Sequence, residues 1–437
     1  MDIRSENDKK SGYEVQMEAE ERVIVFAVTT GGVSVEDTEK SLDELEELLE
    51  TAGAATVGRL IQSLDRATSD LYLGSGKVEE LRSMVAMYDA TGVVCDDELS
   101  PAQLMNLQDA LNIKVMDRTM VILDIFAAHA GSYEGKLQVE LAQLRFRATR
   151  LVGMRDSLSR LGGGIGTRGP GEKKLEIDRR VIRDRISKLK ADLRQVEGRR
   201  TEQRKQRNRT GIPVVSIVGY TNAGKSTLLN KLTGAGVLEE DKLFATLDPA
   251  TRNAMLPAGQ QVLFTDTVGF IRKLPHHLVE AFKSTLEEAK HSDVILHVVD
   301  ASDPNWDRNM ETVYATLRQL NVDEEKDHPI ITVFNKIDKL PEGGDISMIK
   351  DLRADRMVYL SAKTGAGIDD LLVQVEEVLR EQKTYIRHTF AYQDAGKPGL
   401  IRKYGEVLTE EYLEDGIFVE AYVPKSLIGQ LGLDKNL

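Results

Sequence analysis

The chain has 437 residues, of which 41% are hydrophobic and 30% charged, a balance typical of a soluble globular protein with about two to four domains. It lacks an apolar run of membrane-spanning length, and its first ten residues lack the apolar stretch of a secretory signal. A single cysteine, Cys95, excludes an internal disulfide and favours a reducing compartment, so we expect a cytoplasmic protein.

The charge is unevenly distributed along the chain. The formal net charge is −13, yet residues 134–210 hold 22 Lys and Arg against 10 Asp and Glu, a net of +12 that leaves −25 elsewhere. Such asymmetry indicates one basic surface on an acidic protein, as in proteins that bind nucleic acids. A solvated pair of charged helices is the alternative interpretation.

The N-terminal part alternates strand-like and helix-like segments. Residues 1–20 are polar and are predicted to form a disordered tail. From residue 21 to 116, short apolar runs, the first at 23–28, alternate with amphipathic segments such as 42–49. Strands separated by helices of this length predict a small parallel α/β domain.

Residues 117–210 predict a helical hairpin. Apolar residues step by four and three from Leu137 to Leu158, and again from Ile182 to Val196. The Gly-rich segment 162–171 between them cannot continue a helix, so we predict an antiparallel coiled coil with this segment as its tip loop. The alternative, a dinucleotide-binding loop, requires a preceding strand, and here a helix precedes it.

A phosphate-binding loop opens the next segment, residues 211–383. Gly219–Ser226 matches G-x-x-x-x-G-K-[ST] and lies between an apolar strand at 214–218 and a helix opening at Thr227. Glycines let backbone N–H groups surround phosphate oxygens, and the helix N-terminus adds a positive dipole. Lys225 is expected to contact the β- and γ-phosphates, and Ser226 to ligate Mg²⁺.

Three further residues are expected to hold Mg²⁺ or to contact the γ-phosphate. Asp266 follows a strand and is predicted to hold Mg²⁺ through a water, while the N–H of Gly269 contacts the γ-phosphate until hydrolysis releases it. Thr246, 20 residues after Ser226, is predicted to bind Mg²⁺ from a loop. An ordinary loop threonine is the alternative for Thr246.

Base recognition is predicted at Asn335–Asp338. The Asp338 carboxylate can accept two hydrogen bonds from guanine that adenine cannot donate, each worth about 1.5–3 kcal/mol, so this motif favours GTP over ATP. Lys336 is expected to pack on the base, and Ser361–Lys363 to close over its other side.

The predicted site residues come from these segments and their neighbours. The nucleotide contacts are Gly219, Tyr220, Thr221, Asn222, Ala223, Gly224, Lys225, Ser226, Thr227, Phe244, Ala245, Thr246, Asp266, Thr267, Val268, Gly269, Asn335, Lys336, Asp338, Ser361, Ala362 and Lys363. The residues assigned to hydrolysis are Lys225, Thr246, Gly269 and Asn222, and the metal ligands are Ser226, Thr246 and Asp266.

Two departures from the simplest GTPase pattern bear on the rate. Phe270 stands where many small GTPases carry a water-orienting glutamine, so intrinsic hydrolysis is expected to be slow until a partner completes the site. Asn222 is of the type that helps some GTPases hold K⁺ in place of an arginine finger. The metal ligands named above make Mg²⁺ the expected cofactor, and Asn222 makes K⁺ a second candidate.

Segments before and after this region resemble the HflX family of translation-associated GTPases. The resemblance lies in residues 74–77, 123–127, 135–141 and 162–172, and 384–437 resembles the C-terminal domain of bacterial members. It implies a multi-domain α/β protein. Its P-loop GTPase domain is preceded by the parallel α/β domain and the coiled-coil hairpin, and followed by a small α+β domain at 384–437.

The resemblance also implies partners. Family members bind the 50S ribosomal subunit and the 70S ribosome and split stalled ribosomes, with the hairpin tip near rRNA and hydrolysis stimulated by the ribosome. The residues expected to contact rRNA are Arg168, Lys173, Lys174, Arg179 and Arg180. We expect a monomer, partly membrane-associated through ribosomes.

Two other functions stay open at this point. A P-loop phosphotransferase acting on a small molecule would need an acceptor lid and a catalytic base, and neither motif is found. A passive RNA-binding scaffold with a structural nucleotide would bind RNA regardless of GTP or GDP.

Overall fold

The structure, a computed structural model, describes residues 21–161, 170–210, 212–234, 243–244, 250–273, 289–319, 328–340 and 348–433. For residues 152–161, 170–175, 203–210 and 426 it describes the backbone alone. The predicted tail at 1–20 and most of the predicted tip loop lie outside the described residues. The chain forms two compact units, one reaching residue 118 except for 100–102, the other holding 100–102 and residues 119–437.

The first unit is built on a four-stranded parallel sheet. Its elements are β1 (Glu21–Thr29), α1 (Val35–Thr51), β2 (Ala54–Ser63), α2 (Ser75–Tyr88), β3 (Gly92–Cys95), α3 (Pro101–Leu111) and β4 (Lys114–Asp117). The strands lie in the order β2-β1-β3-β4, and all neighbouring pairs are parallel. The predicted parallel α/β domain is confirmed.

Burial explains the apolar run at residues 23–28. The whole run is buried, with Ile24, Phe26 and Val28 in a core that also contains side chains of α2 and α3. A parallel strand covered on both faces has no polar face, which is why its sequence does not alternate. Helix α1 begins earlier than the apolar pattern suggests, because the hydroxyl of Ser34 caps it by accepting the N–H of Asp37 at 3.0 Å.

Three helices follow in chain order. They are α4 (Arg118–His129), α5 (Tyr133–Leu161) and α6 (Pro170–Thr210). The segment predicted as one hairpin, 117–210, therefore starts with a separate helix, and α5 and α6 alone form the hairpin.

Helices α5 and α6 run antiparallel. Glu140 pairs with Arg185 at 2.7 Å, whereas Glu134, earlier in α5, pairs with Arg200, later in α6, at 3.0 Å. Buried leucines on the facing sides form the seam: Leu137, Leu141 and Leu189. The heptad spacing thus places apolar residues at the helix contact, as in a coiled coil.

A six-stranded sheet carries the phosphate-loop region. Its elements are β5 (Val214–Gly219), α7 (Lys225–Thr233), β6 (Ala250–Met255), β7 (Gln261–Asp266), β8 (Val294–Asp300), α8 (Trp306–Gln319), β9 (Ile330–Asn335), β10 (Arg356–Tyr359) and α9 (Ile368–Glu381). The order is β10-β9-β8-β5-β7-β6, with β6 antiparallel to β7 and the other pairs parallel. The carboxyl ends of β5, β7 and β9 therefore meet at one edge, where ligands bind in open α/β sheets.

The C-terminal region is a small α+β fold. Its elements are β11 (Thr384–Phe390), α10 (Gly396–Tyr404), β12 (Glu406–Leu413), β13 (Gly416–Val423) and α11 (Lys425–Leu431). The antiparallel sheet has the order β11-β13-β12, and its apolar face packs with α10 and α11. Among the helices that the structure describes, none has both the length and the apolar character needed to cross a bilayer.

Candidate nucleotide-binding site

The loop between β5 and α7 has the backbone of a phosphate cradle. Asn222 and Gly224 adopt left-handed conformations, with φ of +59° and +90°. A Cβ on Gly224 would lie 2.3 Å from the side-chain nitrogen of Asn335, so this close approach requires glycine. The loop ends at Lys225, the first residue of α7, and this places the helix N-terminus beside the cradle.

Lys225 is buried at the centre of this loop. Its Nζ donates to the carbonyl of Tyr220 at 2.8 Å. The pKa of Lys225 falls to about 8, mainly because the ammonium is buried; the charge of Asp266 opposes this fall, and that of Lys336 contributes to it. Because anionic phosphate would favour the charged ammonium, the site is suited to a ligand that brings negative charge.

The two predicted metal ligands that the structure describes lie together. The Ser226 hydroxyl donates to the Asp266 carboxylate at 2.8 Å, joining the start of α7 to the end of β7. Both are hard oxygen donors, the type that Mg²⁺ prefers alongside substrate phosphates and water. Within the described residues no group of three or more His, Cys, Asp or Glu could hold a metal ion.

The segment after β7 is tied to the phosphate loop through its backbone. The N–H of Thr221 donates to the carbonyl of Phe270 at 2.7 Å, and the N–H of Phe270 to Gly219 at 3.1 Å. A Cβ on Gly269 would lie 3.0 Å from the Nζ of Lys225, so no side chain fits there without displacement. Phe270 itself is buried in the core beside β8 and α8. Its ring therefore contributes to packing and leaves no water-orienting group at this position.

Asn335 connects three of the predicted motifs. Its amide nitrogen donates to the carbonyl of Ala223 in the phosphate loop, and its amide oxygen accepts the N–H of Ala362, both at 2.9 Å. The Asn335 side chain therefore joins the phosphate loop to the Ser361–Lys363 segment by hydrogen bonds. This role could not be predicted from the sequence motif alone.

The predicted base-reading carboxylate lies at the exposed end of the same site. Asp338 is exposed, and a hydrogen bond from the buried Ser361 hydroxyl lowers the pKa of its carboxyl group, with Lys363 acting in the same direction. The carboxylate is therefore charged at neutral pH and oriented by Ser361. This is the state needed to accept two hydrogen bonds from guanine.

One interaction at the site was missed by sequence reasoning. Lys336 forms an ion pair with Asp300, the last residue of β8, at 2.8 Å. The sequence offered one indication of this pair, an aspartate at the end of an apolar strand. That this strand lies next to β9 is known only from the structure.

Several predicted residues take other positions. The Phe244 ring is buried and packs edge-on against Phe126 of α4, with centroids 4.7 Å apart, so only its backbone is available to a nucleotide. The Thr267 hydroxyl donates to the carbonyl of Ile217 at 2.8 Å and is committed to the fold. Ala245, Thr246 and Arg168 lie outside the described residues. The side chains of Lys173 and Lys174 are also not described, whereas Arg179 and Arg180 lie on α6.

Family models match most of the chain in three consecutive pieces. Residues 39–127 match the GTP-binding GTPase N-terminal model, residues 129–207 the GTP-binding GTPase middle region, and residues 214–336 the 50S ribosome-binding GTPase model.

Curated relatives match over most of the chain. GTPase HflX of Lacrimispora saccharolytica is 62% identical over 95% of this chain and 96% of its own. GTPase HflX of Caldanaerobacter subterraneus is 49% identical, covering 92% and 91%, and that of Escherichia coli is 43% identical, covering 82% and 83%. A crystal structure of SsGBP with GDP is 25% identical, covers 82% of this chain and 98% of that one, and has a TM-score of 0.47. The chain described here belongs to the HflX family of GTPases.

Proposed function

We propose that this GTPase is a nucleotide-controlled switch that binds the large ribosomal subunit in its GTP state and splits or rescues stalled ribosomes. The observation that carries this proposal is the combination of a complete GTPase motif set with a strongly basic helical hairpin in one chain. The match of residues 214–336 to a model described as a 50S ribosome-binding GTPase supports the large subunit as the partner.

The hairpin has the chemistry of an rRNA-binding element. Arg180 and Arg183 are exposed on α6, while Arg185 and Arg200 are already paired with glutamates of α5. Lys and Arg that neutralise RNA phosphates release counterions, so binding weakens as salt rises. We propose Arg179 and Arg180, together with the predicted Arg168, Lys173 and Lys174, as the contacts.

The nucleotide site is proposed to work by positioning and electrostatics. Lys225 contacts the β- and γ-phosphates, the N–H of Gly269 contacts the γ-phosphate, and Asp338 reads guanine. Ser226 and Asp266, with Thr246, would hold Mg²⁺, whose charge offsets that of the phosphates. Loss of the γ-phosphate removes the Gly269 contact, which is how a GTPase changes state.

Hydrolysis by the isolated chain is proposed to be slow. Phe270 is buried, so the site has no glutamine equivalent there to orient water. Asn222, exposed on the left-handed turn of the phosphate loop, is the proposed support for K⁺. Comparing rates in K⁺ and Na⁺ tests this point, and equal rates would remove K⁺ from the proposal.

Co-sedimentation with purified ribosomal subunits tests the switch. We expect the chain to pellet with large subunits in a non-hydrolysable GTP analogue, and much less in GDP or without nucleotide. The Arg179→Glu/Arg180→Glu variant should pellet less and show a shallower salt dependence. Lys403→Glu/Lys425→Glu, at exposed positions of α10 and α11, is the charge-matched control.

Two results of that experiment would contradict the proposal. Equal pelleting in all nucleotide states would indicate a passive scaffold. Absence of pelleting in any state would remove the ribosome as partner while leaving the GTPase assignment in place.

A further inference from the structure

Asp300 and Lys336 meet at the carboxyl edge of the central sheet. Asp300 ends β8, and its register partner in β9 is Asn335, the residue before Lys336. Lys336 adopts a left-handed conformation with φ of +64°, and its Nζ lies 2.8 Å from an Asp300 carboxylate oxygen. The side chains are 17% and 21% exposed for Lys336 and Asp300, so the ion pair is partly shielded from solvent.

Asp300 is itself held in place. Its other carboxylate oxygen accepts hydrogen bonds from the N–H and the hydroxyl of Ser302, at 2.9 and 2.6 Å. The N–H of Ala301 donates to the carbonyl of Asn335 at 2.9 Å. The carboxylate thus has a fixed position relative to the strand that carries the base-reading motif.

The lysine that Asp300 holds runs along the phosphate loop. Its Cε lies 4.0 Å from the position that a Cβ on Gly224 would take. Its charge also acts on Lys225, whose pKa it lowers. Lys336 therefore lies between the phosphate loop and the base-reading carboxylate at Asp338, where a purine bound to both would lie.

We propose that Asp300 is a positioning residue for guanine-nucleotide binding, which acts by holding the Lys336 side chain along the purine site. This rests on the assignment of a guanine nucleotide to this pocket. Asp300 would not touch the nucleotide. It orients the lysine and neutralises its charge, so that Lys336 presents its aliphatic stem to the base. Without the carboxylate, the Lys336 side chain is free to rotate away, and the bound base loses its contact with the aliphatic stem.

A double-mutant cycle tests this role. Asp300→Asn keeps the size and an acceptor for Ser302 but removes the charge. We expect it to speed release of a fluorescent GDP from the full-length protein by about threefold to fivefold, the upper part of the range for an ion pair that solvent reaches. Lys336→Met should have a similar effect. Because Asp300 acts through Lys336, adding Asp300→Asn to Lys336→Met should change the release rate by less than about twofold.

The control is Asp303→Asn. Asp303 lies in the same turn and accepts from the N–H of Asn305 and the side chain of Asn309, at 2.8 and 2.7 Å. We expect it to release GDP at the wild-type rate, which separates loss of the ion pair from general loosening of the turn. Asp300→Glu, which keeps the charge, should restore part of the slow release.

Two outcomes would overturn the inference. One is an Asp300→Asn release rate equal to wild type, and the other is an undiminished effect of Asp300→Asn in the Lys336→Met background. Failure of the wild-type protein to bind fluorescent GDP would instead remove the underlying nucleotide assignment, so the two failures are distinguishable.

Discussion

At the scale of single residues, Lys225 is the most strongly perturbed charge in the nucleotide site. It is buried, and its pKa falls from 10.5 to about 8, mainly because burial disfavours the ammonium. Bound phosphates stabilise the ammonium and raise this pKa again. Nucleotide binding is therefore coupled to the protonation of one side chain.

This coupling predicts a pH dependence of GDP affinity. Below about pH 8 the lysine is already charged, so affinity should be nearly constant as far as Lys225 is concerned. Above about pH 8 the free protein must take up a proton on binding, so affinity should fall by up to about tenfold per pH unit. Calorimetry between pH 7 and 9 measures it.

The control for this experiment is Lys225→Arg, whose guanidinium stays charged throughout the range. Any titration of GDP itself affects both proteins equally. The difference between their pH profiles of GDP affinity therefore measures the contribution of Lys225. Identical profiles would show that Lys225 is not the group that titrates.

Gly224 offers a second residue-scale test. Alanine there would place a Cβ 2.3 Å from the Asn335 side chain and would also strain a backbone with φ of +90°. We expect Gly224→Ala to weaken GDP binding at least about fivefold, because strain and displacement of this kind cost about 1–3 kcal/mol. Gly234→Ala is the matched control, since Gly234 also has positive φ, +64°, but its added Cβ would meet nothing within 4 Å.

The comparison separates two causes. If both variants bind GDP equally weakly, backbone strain is responsible, and the contact with Asn335 is unimportant. If neither differs from wild type, the loop geometry described here is wrong.

At the scale of secondary-structure elements, the positions of strands and helices can be predicted from the sequence where the local hydrophobic pattern determines them. The apolar run at residues 23–28 lies inside β1, Glu21–Thr29, and the amphipathic segment 42–49 lies inside α1, Val35–Thr51. The α/β class of the phosphate-loop region could be predicted because apolar strands lead into its motifs: β5 ends at Gly219, β7 at Asp266 and β9 at Asn335. Helix α4 was not separated from the hairpin, because its apolar residues, such as Val121 and Ile122, continue the helical pattern of the segment that follows.

Contacts between elements were less accessible to sequence reasoning. The bridge from Asn335 to Ala223 and Ala362, and the pairing of Asp300 with Lys336, depend on which strands become neighbours in the sheet. Strand order is set by packing of the whole region, and no local pattern encodes it. The same holds for Phe270, whose burial in the core could not be read from its position in a motif.

Strand β8 also carries a buried histidine that predicts acid sensitivity. His297 is fully buried, packs edge-on against Tyr314, and neither ring nitrogen has a hydrogen-bond partner among the described residues. Burial lowers its pKa from 6.5 to about 4, although Asp351 opposes the shift. The unfolded chain therefore takes up a proton between pH 6.5 and 4 that the folded chain does not.

The sign of this linkage is a loss of stability on acidification. His297 contributes no penalty above about pH 6.5, and by pH 5 it should cost the folded state about 2 kcal/mol. His297→Phe keeps a ring against Tyr314 and should remove that part of the pH dependence. Urea unfolding followed by the fluorescence of Trp306, the single tryptophan and a neighbour of Phe334, measures it. Parallel pH profiles for wild type and variant would rule His297 out.

At the scale of the whole molecule, charge is divided between the parts of the chain. The basic excess lies in residues 134–210, and the rest of the protein is acidic. An acidic remainder repels RNA phosphates, so an RNA partner is expected to meet the hairpin first. Under the proposed function, this division would place partner binding on the hairpin, while the nucleotide site lies at the edge of the six-stranded sheet.

The rate of GTP hydrolysis with and without purified large ribosomal subunits tests the central claim most directly. The chain alone should hydrolyse GTP slowly, because Phe270 is buried and supplies no water-orienting group. Large subunits should raise the rate at least about tenfold, small subunits should not, and Lys225→Ala should abolish the response. A rate unchanged by large subunits, or raised equally by both subunits, would contradict a switch that acts on the large subunit.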